Sequence, residues 1–341
     1  MSENASQPRK LGPLIGAVVG LAALITFMAM AFAFPAVHSG AHDLAIGVAG
    51  PEPAVAKVEA GLAEKSPGTF EVTRYPDAAA LEQAIRDRDV HGGIGVGPDG
   101  VTAYTATAGG APMAQAIRGA ATGLSTATGQ KLTTVDVVGY TADDPTGAGL
   151  SALMFPLSIG GIVPAVVMFN LFKNRRWSRI AAVTGVAVLA GLAVTAVLHF
   201  WTGSLGGNYW ETAAVLALST AAISLTALGV ESVFGMAGFG VLALLMVFVA
   251  NPLSGLVAGP DWLPKPWGAI GQLLPPGAGG SAIRAVAFFD GAGLAAPLIT
   301  LCVWIAAGLL LSVLGHHRSS RRPAPAGEQG TTDAPASAAV A

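Results

Sequence analysis

The stretch NPLSGLVAGPDWLPKPWGAIGQLLPPGAG, residues 251–279, separates two long apolar runs of the chain. It is dense in proline and glycine, which interrupt regular helix, and in tryptophan, which favours the boundary between a membrane and water. Such a segment can be an ordinary external loop or a re-entrant element. The choice between them decides how the flanking helices are connected.

The composition around this stretch is that of a membrane protein. Of the 341 residues, 52% are hydrophobic and 11% are charged, and the mean hydropathy is +0.61. Soluble domains carry about 25% charged residues. The net charge of -2 provides no basic field for nucleic acid. We therefore expect an integral membrane protein with a modest aqueous portion.

Six apolar runs have about the length of 20 residues that a membrane-spanning helix needs. They cover residues 14–34, 150–172, 180–201, 212–230, 232–250 and 294–314. Only Glu231 and its neighbours separate the fourth run from the fifth, so we predict a tight helical hairpin there. The first run exceeds the about 7–15 apolar residues of a secretory signal, which favours an uncleaved span over a signal peptide. The sequence thus predicts a mainly α protein with a six-helix transmembrane bundle.

Basic residues predict the orientation of this bundle, because positively charged loops stay in the cytoplasm. The clusters are Arg9 with Lys10, then Lys173, Arg175, Arg176 and Arg179, and finally Arg318, Arg321 and Arg322. Six spans place all three clusters on one face. We therefore expect a multi-pass protein of the plasma membrane with both termini cytoplasmic, residues 1–10 and 316–341. The second of these lacks apolar periodicity and is predicted to be disordered.

Residues 37–148, between transmembrane helix 1 at 11–36 and the five-helix region at 149–315, are predicted to form an extracytoplasmic α/β domain. Their element order is β-α-β-α-β-β-α-β. Asp77 can cap a helix whose apolar residues share one face. Two alternating strands flank the turn sequence PDG at 98–100.

Several motifs in this domain and elsewhere argue against catalysis. The glycines of GGIGVG, residues 92–97, lie in a hairpin, so no helix N-terminus is offered to a phosphate. His38, His42 and His91 match no closed zinc site and are expected at a surface or junction. The sequence contains no Gly-Lys dipeptide, HExxH or GxSxG. It predicts neither an enzyme nor a bound cofactor or metal.

Within the opening stretch, Asn251 and Pro252 are predicted to end the fifth span on the outside. A short helix at 267–274 follows, and the prolines at 275 and 276 are expected to stop it. A second short amphipathic turn is predicted at 281–289. Broken backbone at membrane depth survives only where protein or water covers it. We therefore predict a re-entrant-type external segment, 251–293, with an ordinary external loop as the alternative.

The residues of this segment that we expect to form an external gate are the helix-breaking prolines, two tryptophans suited to the interface and two polar side chains. They are Asn251, Pro252, Trp262, Pro264, Trp267, Pro275 and Arg284. Small residues in the spans are expected to let helices approach closely, within one chain or between two copies. They include Gly185, Gly191, Gly235, Gly238 and Gly240.

The order NPLSG, PDWLP, LPPGAG, an arginine and FFDG before the last span resembles the ABC-2 type transporter permease family, and within it the YhgE/Pip-like membrane proteins. The resemblance covers most of residues 11–315. It implies a homo- or heterodimer in contact with membrane lipids and paired with a separate cytoplasmic ATP-binding subunit. It also implies an ATPase-coupling surface in KNRRWSR, residues 173–179. The candidate coupling residues are Lys173, Arg175, Arg176 and Arg179, with Glu231 at the hairpin tip.

Two functions remain open on these grounds. The first is the permease subunit of an exporter for a hydrophobic or amphipathic substrate. The alternative is a non-transport membrane protein that anchors an external binding or scaffold domain. A secondary transporter or channel is disfavoured, because the spans are almost free of ionisable residues.

Overall fold

The computed structural model describes residues 11–172 and 175–320. Lys173, residues 1–10 and residues 321–341 lie outside the described residues, and with them Arg9, Lys10, Arg321 and Arg322. The described chain is mainly helical and contains one five-stranded sheet. Its last helix continues through residues 316–320, into the predicted disordered tail. No glycine or proline interrupts the sequence there, so nothing local ends the helix.

The helices and strands follow one another along the chain in the order that the sequence predicts for the α/β domain. They are α1 (Leu11–His38), β1 (Leu44–Ala49), α2 (Glu52–Lys65), β2 (Phe70–Tyr75), α3 (Ala78–Arg86), β3 (Gly92–Gly97), β4 (Gly100–Thr105), α4 (Ala111–Thr128), β5 (Leu132–Asp136), α5 (Ala148–Ala152), α6 (Met154–Leu171), α7 (Arg176–Ala196), α8 (Tyr209–Leu244), α9 (Trp267–Gln272), α10 (Pro275–Phe288) and α11 (Ala295–Ser320).

The head, which we define as residues 44–136, is a sheet with the strand order β2-β1-β3-β4-β5, in which only β3 and β4 pair antiparallel. Alternating side chains face opposite sides of a strand. Val48 and Ile94 accordingly pack under α2 and α4, while Ala49 and Tyr104 face α3. As predicted, Asp77 caps α3 by accepting a hydrogen bond from the backbone nitrogen of Ala80 at 2.8 Å.

Five helical segments are long and apolar enough to cross a membrane. They are Gly12–Pro35, Ala148–Leu171, Arg176–Trp201, Tyr209–Ala250 and Ala295–Gly315. The fourth contains α8 and a following π-helical turn, Leu245–Ala250. It contains both apolar runs that we expect to form a hairpin.

The chain turns back inside this long segment at Gly235, four residues beyond the turn predicted at Glu231. Gly235 has φ 68° and ψ -164°, a conformation essentially restricted to glycine. A Cβ on Gly238 would lie 3.2 Å from the Val230 side chain, whereas eight residues of straight helix span about 12 Å. Residues 245–250 then contact α1, α6 and α10. Glu231 is helical. A glutamate would be strained at the positive φ that Gly235 adopts.

Replacing Gly235 by alanine should cost about 1–3 kcal/mol, because a Cβ is strained at this φ and ψ. No atom lies within 4 Å of the added Cβ, so backbone strain is the only expected penalty. The thermal unfolding midpoint of the full-length protein in detergent measures it. Gly240→Ala is the matched control, since its Cβ also meets nothing within 4 Å and its φ is ordinary. Equal midpoints for both variants would contradict the turn.

The segment 251–293 leaves the bundle toward the head, returns into the bundle, and then reaches the head a second time. Leu273 marks the inward point, where its carbonyl accepts a 2.8 Å hydrogen bond from the Trp304 indole nitrogen on α11. Ala278 near the start of α10 packs against Ala222 of α8, which lies about 20 Å along that helix from Tyr209. At the other end of α10, the carbonyl of Ala287 would be 3.0 Å from a Cβ on Gly206, just before α8. The helix therefore links the bundle interior to its head end.

Glycines set the spacing between the central helices. α8 and α11 lie so close that a Cβ on Gly308 would be 2.5 Å from the backbone nitrogen of Thr226. Gly191 of α7 likewise packs against α8, with 2.5 Å from its ideal Cβ to the Ala213 carbonyl oxygen. Gly185 meets nothing within 4 Å. The predicted close approach within one chain holds for Gly191, while Gly185 faces outward.

Candidate functional site

The candidate site is the junction between the head and the segment 251–293. The backbone nitrogen of Gly40, between α1 and the head, donates to the Trp262 carbonyl at 3.0 Å. The Trp262 side chain packs beside Leu44 and Met113 of the head. The ring covers these apolar head residues, and its position at the membrane interface stays a prediction.

Arg284 lies at the centre of the junction and is fully buried. Its Nε donates to the Ala108 carbonyl of the head at 2.9 Å, and one Nη donates to the Leu256 carbonyl at 2.7 Å. Tyr140 lies beside the guanidinium. No carboxylate pairs with Arg284 among the described residues. A buried cation held by carbonyl oxygens is costly to disturb, because those acceptors have no water to replace it.

Aromatic side chains at the end of α10 join the segment 251–293 to the head. Phe288 at the end of α10 meets the Tyr140 ring edge-on, with centroids 5.5 Å apart. The next residue, Phe289, is buried in the apolar cluster beneath α3 of the head. The Arg88 guanidinium lies 5.1 Å from the centroid of the Phe289 ring, a cation–π geometry. The end of α10 is thus part of the core of the head.

A titratable cluster lies at the edge of the same junction. His91 of the head approaches Asp261 of the segment, with 3.4 Å between Nε2 and Oδ2. Burial lowers the pKa of His91; the Asp261 carboxylate raises it and the neighbouring Arg88 lowers it, and the net direction is downward. Nearby, Lys265 forms an exposed ion pair with Asp43 at 3.0 Å. The histidine was expected at a junction, and it is found there.

Acidification should loosen this junction. Because the folded protein lowers the pKa of His91, it favours the neutral ring, so stability is present above the ordinary pKa of about 6.5 and is lost as the pH falls below it. His91→Gln should flatten the fall in unfolding midpoint between about pH 7.5 and 5.5. Asp261→Asn should steepen it, since the carboxylate supports the charged ring. Identical pH profiles for the wild type and both variants would refute this account.

The predicted gate residues all lie in the folded segment 251–293. Part of this segment is one longer helix, α10, where short turns were predicted. Pro275 was expected to stop a helix; instead it begins α10, which continues through Arg284 to Phe288. Proline is tolerated in the first helical turn, where its missing N–H has no intrahelical partner to lose. Pro252 likewise begins a 3-10 turn, and Pro264 accepts a backbone hydrogen bond from Trp267 at 2.8 Å.

Two further gate residues, Asn251 and Trp267, differ in burial. Asn251 is buried, and neither its amide nitrogen nor its amide oxygen has a hydrogen-bond partner among the described residues. Trp267 is partly exposed and meets Phe34 of α1 edge-on, with centroids 6.2 Å apart. Trp267 therefore connects the segment to α1, which makes few other contacts with the bundle.

The predicted coupling residues divide into a paired and an exposed set. Arg179 and Glu231 form an ion pair of 3.4 Å with side chains 17% and 11% exposed, and Arg179 also donates to the Phe172 carbonyl at 2.8 Å. Arg176 stacks over Trp177 at 4.8 Å. Arg175 is exposed. The ion pair between Arg179 and Glu231 connects the start of α7 to α8.

The glycines of GGIGVG serve packing. A Cβ on Gly93 would lie 2.3 Å from the Gly47 carbonyl oxygen, and one on Gly95 would lie 2.8 Å from the Tyr104 ring. These contacts fill the face of β3 that α3 covers. The expectation that this motif is part of a hairpin is confirmed by the pairing of β3 with β4.

Sequence reasoning identified Arg284 but missed its partners. Ala108 lies in a 3-10 turn that follows β4, and Leu256 precedes Arg284 by a long stretch of chain. The signal that could have found the junction is the lone arginine between apolar neighbours, because a buried guanidinium must find acceptors. No pattern in the neighbouring sequence shows that the acceptor of Arg284 lies in the head.

Comparisons of the chain with protein-family models, with curated proteins and with solved structures gave no match.

Proposed function

We propose that the protein is the membrane permease subunit of an ABC-2 type exporter, which moves a hydrophobic or amphipathic substrate outward with energy from a separate ATPase. The observation that carries the proposal is α10, which runs from the interior of the bundle to the core of the head. A shift of α8 or α11 would displace α10 through its close contacts, and Arg284 would transmit that shift to the head. Such a linkage suits a transporter in which the bundle and the head must change conformation together.

The proposed arrangement has six spans in the plasma membrane. In this arrangement the turn at Gly235 would divide the long apolar segment Tyr209–Ala250 into two spans. With α1, α6, α7 and α11, this makes six and puts the basic connection around Arg175 on the cytoplasmic face. The head, inserted between the first two spans, then lies outside with the segment 251–293, and both termini are cytoplasmic.

The proposed docking site for the ATPase is the inner end of the bundle. Arg175 is exposed there, and the ion pair between Arg179 and Glu231 connects two helices beneath it. A push on this connection would reach α8 directly. The sequence has no Gly-Lys dipeptide and hence no P-loop, so ATP must be bound by a separate chain. The permease would act as a homo- or heterodimer.

Purification from native membranes in mild detergent tests the proposal. A Walker-motif ATPase should co-purify, and Arg175→Glu should weaken its association by about tenfold or more, since like charges at an interface cost several kcal/mol. Lys131→Glu, an exposed charge reversal on the head, should leave association unchanged. If no ATPase associates and no ATP-dependent phenotype exists, the proposal is wrong.

A second function, an anchored external binding or scaffold domain, is favoured by one observation. The head has its own sheet and its own apolar clusters, and a cleft opens between two of its helices. Under this alternative the bundle serves only as an anchor. Removal of residues 42–141 would then abolish function completely, and a headless protein that keeps its activity would exclude the alternative.

A further inference from the structure

An apolar cleft separates α2 from α4 on the face of the head sheet opposite α3. Its volume is about 350 Å³, within the usual range for small-molecule sites. Its floor reaches Ile94 of the central strand β3, and its walls include Leu62 and Leu124. These apolar side chains leave an open volume between the two helices. A second hollow continues the cleft toward Lys57.

Three glycines keep this cleft open. Gly61 lines it from α2, and Gly119 and Gly123 line it from α4. A Cβ on any of them would meet nothing within 4 Å, and none has positive φ. Glycine inside a helix is destabilising by about 0.5–1 kcal/mol relative to alanine. No turn or close helix contact offsets that loss here, so the open volume itself is what these residues provide.

One end of the cleft opens beside the end of α1. Lys65 and Thr69 line this mouth. The Thr69 carbonyl accepts from Leu44 at 2.9 Å, and the Gly68 carbonyl accepts from Asp43 at 2.9 Å, only a few residues after α1 ends at His38. If α1 spans the membrane, the mouth lies at the level where lipid headgroups would be.

The mouth is polar and positively charged, while the rest of the cleft is apolar. Lys65 is exposed, and Ser66 and Thr69 add hydroxyl groups beside it. None of the lining residues is acidic. An apolar channel with a cation and hydrogen-bond donors at one end is complementary to a molecule with a hydrocarbon chain and an anionic head.

We propose that the cleft between α2 and α4 receives one acyl chain of an anionic phospholipid from the adjacent leaflet, with the phosphate at Lys65. The chain would lie along Gly61, Gly119 and Gly123. This site goes beyond the proposed export function and does not rest on it, since neither an ATPase nor transport is needed for the lipid to bind.

Photo-crosslinking of the full-length protein tests the site. The protein is reconstituted into phosphatidylcholine vesicles that contain phosphatidylglycerol with a diazirine near the end of one acyl chain. After illumination, labelled peptides are mapped by mass spectrometry. Labels should appear on α2 and α4 of the head as well as on the spans. Gly119→Leu and Gly123→Leu fill the cleft and should reduce head labelling by about tenfold while leaving span labelling unchanged.

Charge variants test the orientation of the lipid. Lys65→Gln should also reduce head labelling several-fold, whereas Lys57→Gln, at the far end of the cleft, should not. A diazirine phosphatidylcholine should label the head less than phosphatidylglycerol does. Gly119→Ala provides a smaller filling if the leucine variants fail to fold, which loss of both head and span labelling would reveal. Labels confined to the spans, or head labelling insensitive to both the filling and Lys65 variants, would overturn the proposal.

Discussion

Replacing Arg284 by methionine is expected to loosen the head from the bundle and to lower the stability of the junction by about 3–5 kcal/mol, the sum of two charge-assisted hydrogen bonds. Methionine fills much of the same volume, but it leaves the Ala108 and Leu256 carbonyls buried without donors. Hydrogen exchange of the full-length protein should accelerate at residues 106–110 and 255–259. The thermal unfolding midpoint of the variant should also be lower than that of the wild type.

Two further variants separate this effect from a general loss of charge. Arg284→Lys should recover only part of the stability, because one ammonium replaces a planar fork whose two donors reach different carbonyls. Arg86→Met changes an arginine of the head whose side chain is 49% exposed, and should shift the midpoint little. If Arg284→Met leaves exchange at both carbonyl-bearing segments unchanged, the junction does not depend on this residue.

Replacing Gly308 by leucine should disrupt the bundle by about 3 kcal/mol or more, since overpacking against rigid backbone is among the costly core changes. The new Cβ would lie 2.5 Å from the Thr226 nitrogen, so α8 and α11 must separate. Separation would also break the 2.9 Å hydrogen bond from Thr226 to the Trp304 carbonyl. The unfolding midpoint in detergent and the hydrogen exchange of α11 amides report the change.

Gly185→Leu is the matched control for this variant. Gly185 lies in α7, faces outward, and its Cβ meets nothing within 4 Å. It should therefore leave the midpoint unchanged or raise it slightly, because leucine is the better helix former. Similar losses for Gly308→Leu and Gly185→Leu would show that the contact between α8 and α11 is not what the glycine serves.

The head was largely predictable because its signals are local. Asp77 caps α3 by reaching a backbone nitrogen three residues on, and the turn at 98–100 joins β3 to β4. The sequence predicts the last strand at 134–138, whereas it spans Leu132–Asp136. The position of this strand depends on its pairing with β4, and the residue pattern within one strand does not indicate which residues of another strand it pairs with.

The segment 251–293 was harder to predict because proline can either interrupt a helix or occupy its first turn. The prolines at 275 and 276 both end one helix and begin another, and the sequence alone favoured the first role. The turn was placed at Glu231, the polar interruption, whereas the backbone reverses at Gly235. A charged residue can remain helical at a bundle end when it finds a partner, as Glu231 finds Arg179.

We propose that the chain crosses the membrane six times, with the head on one face and the turns around Arg175 and Gly235 on the other. Single cysteines at Asp99 in the head, at Arg175 and at Phe234 test it, in a background where exposed Cys302 is replaced by serine. A membrane-impermeant maleimide on intact cells should label Asp99→Cys at once and the other two only after permeabilisation. Labelling of Asp99→Cys and Arg175→Cys from the same face, or of Phe234→Cys from outside, would contradict the account.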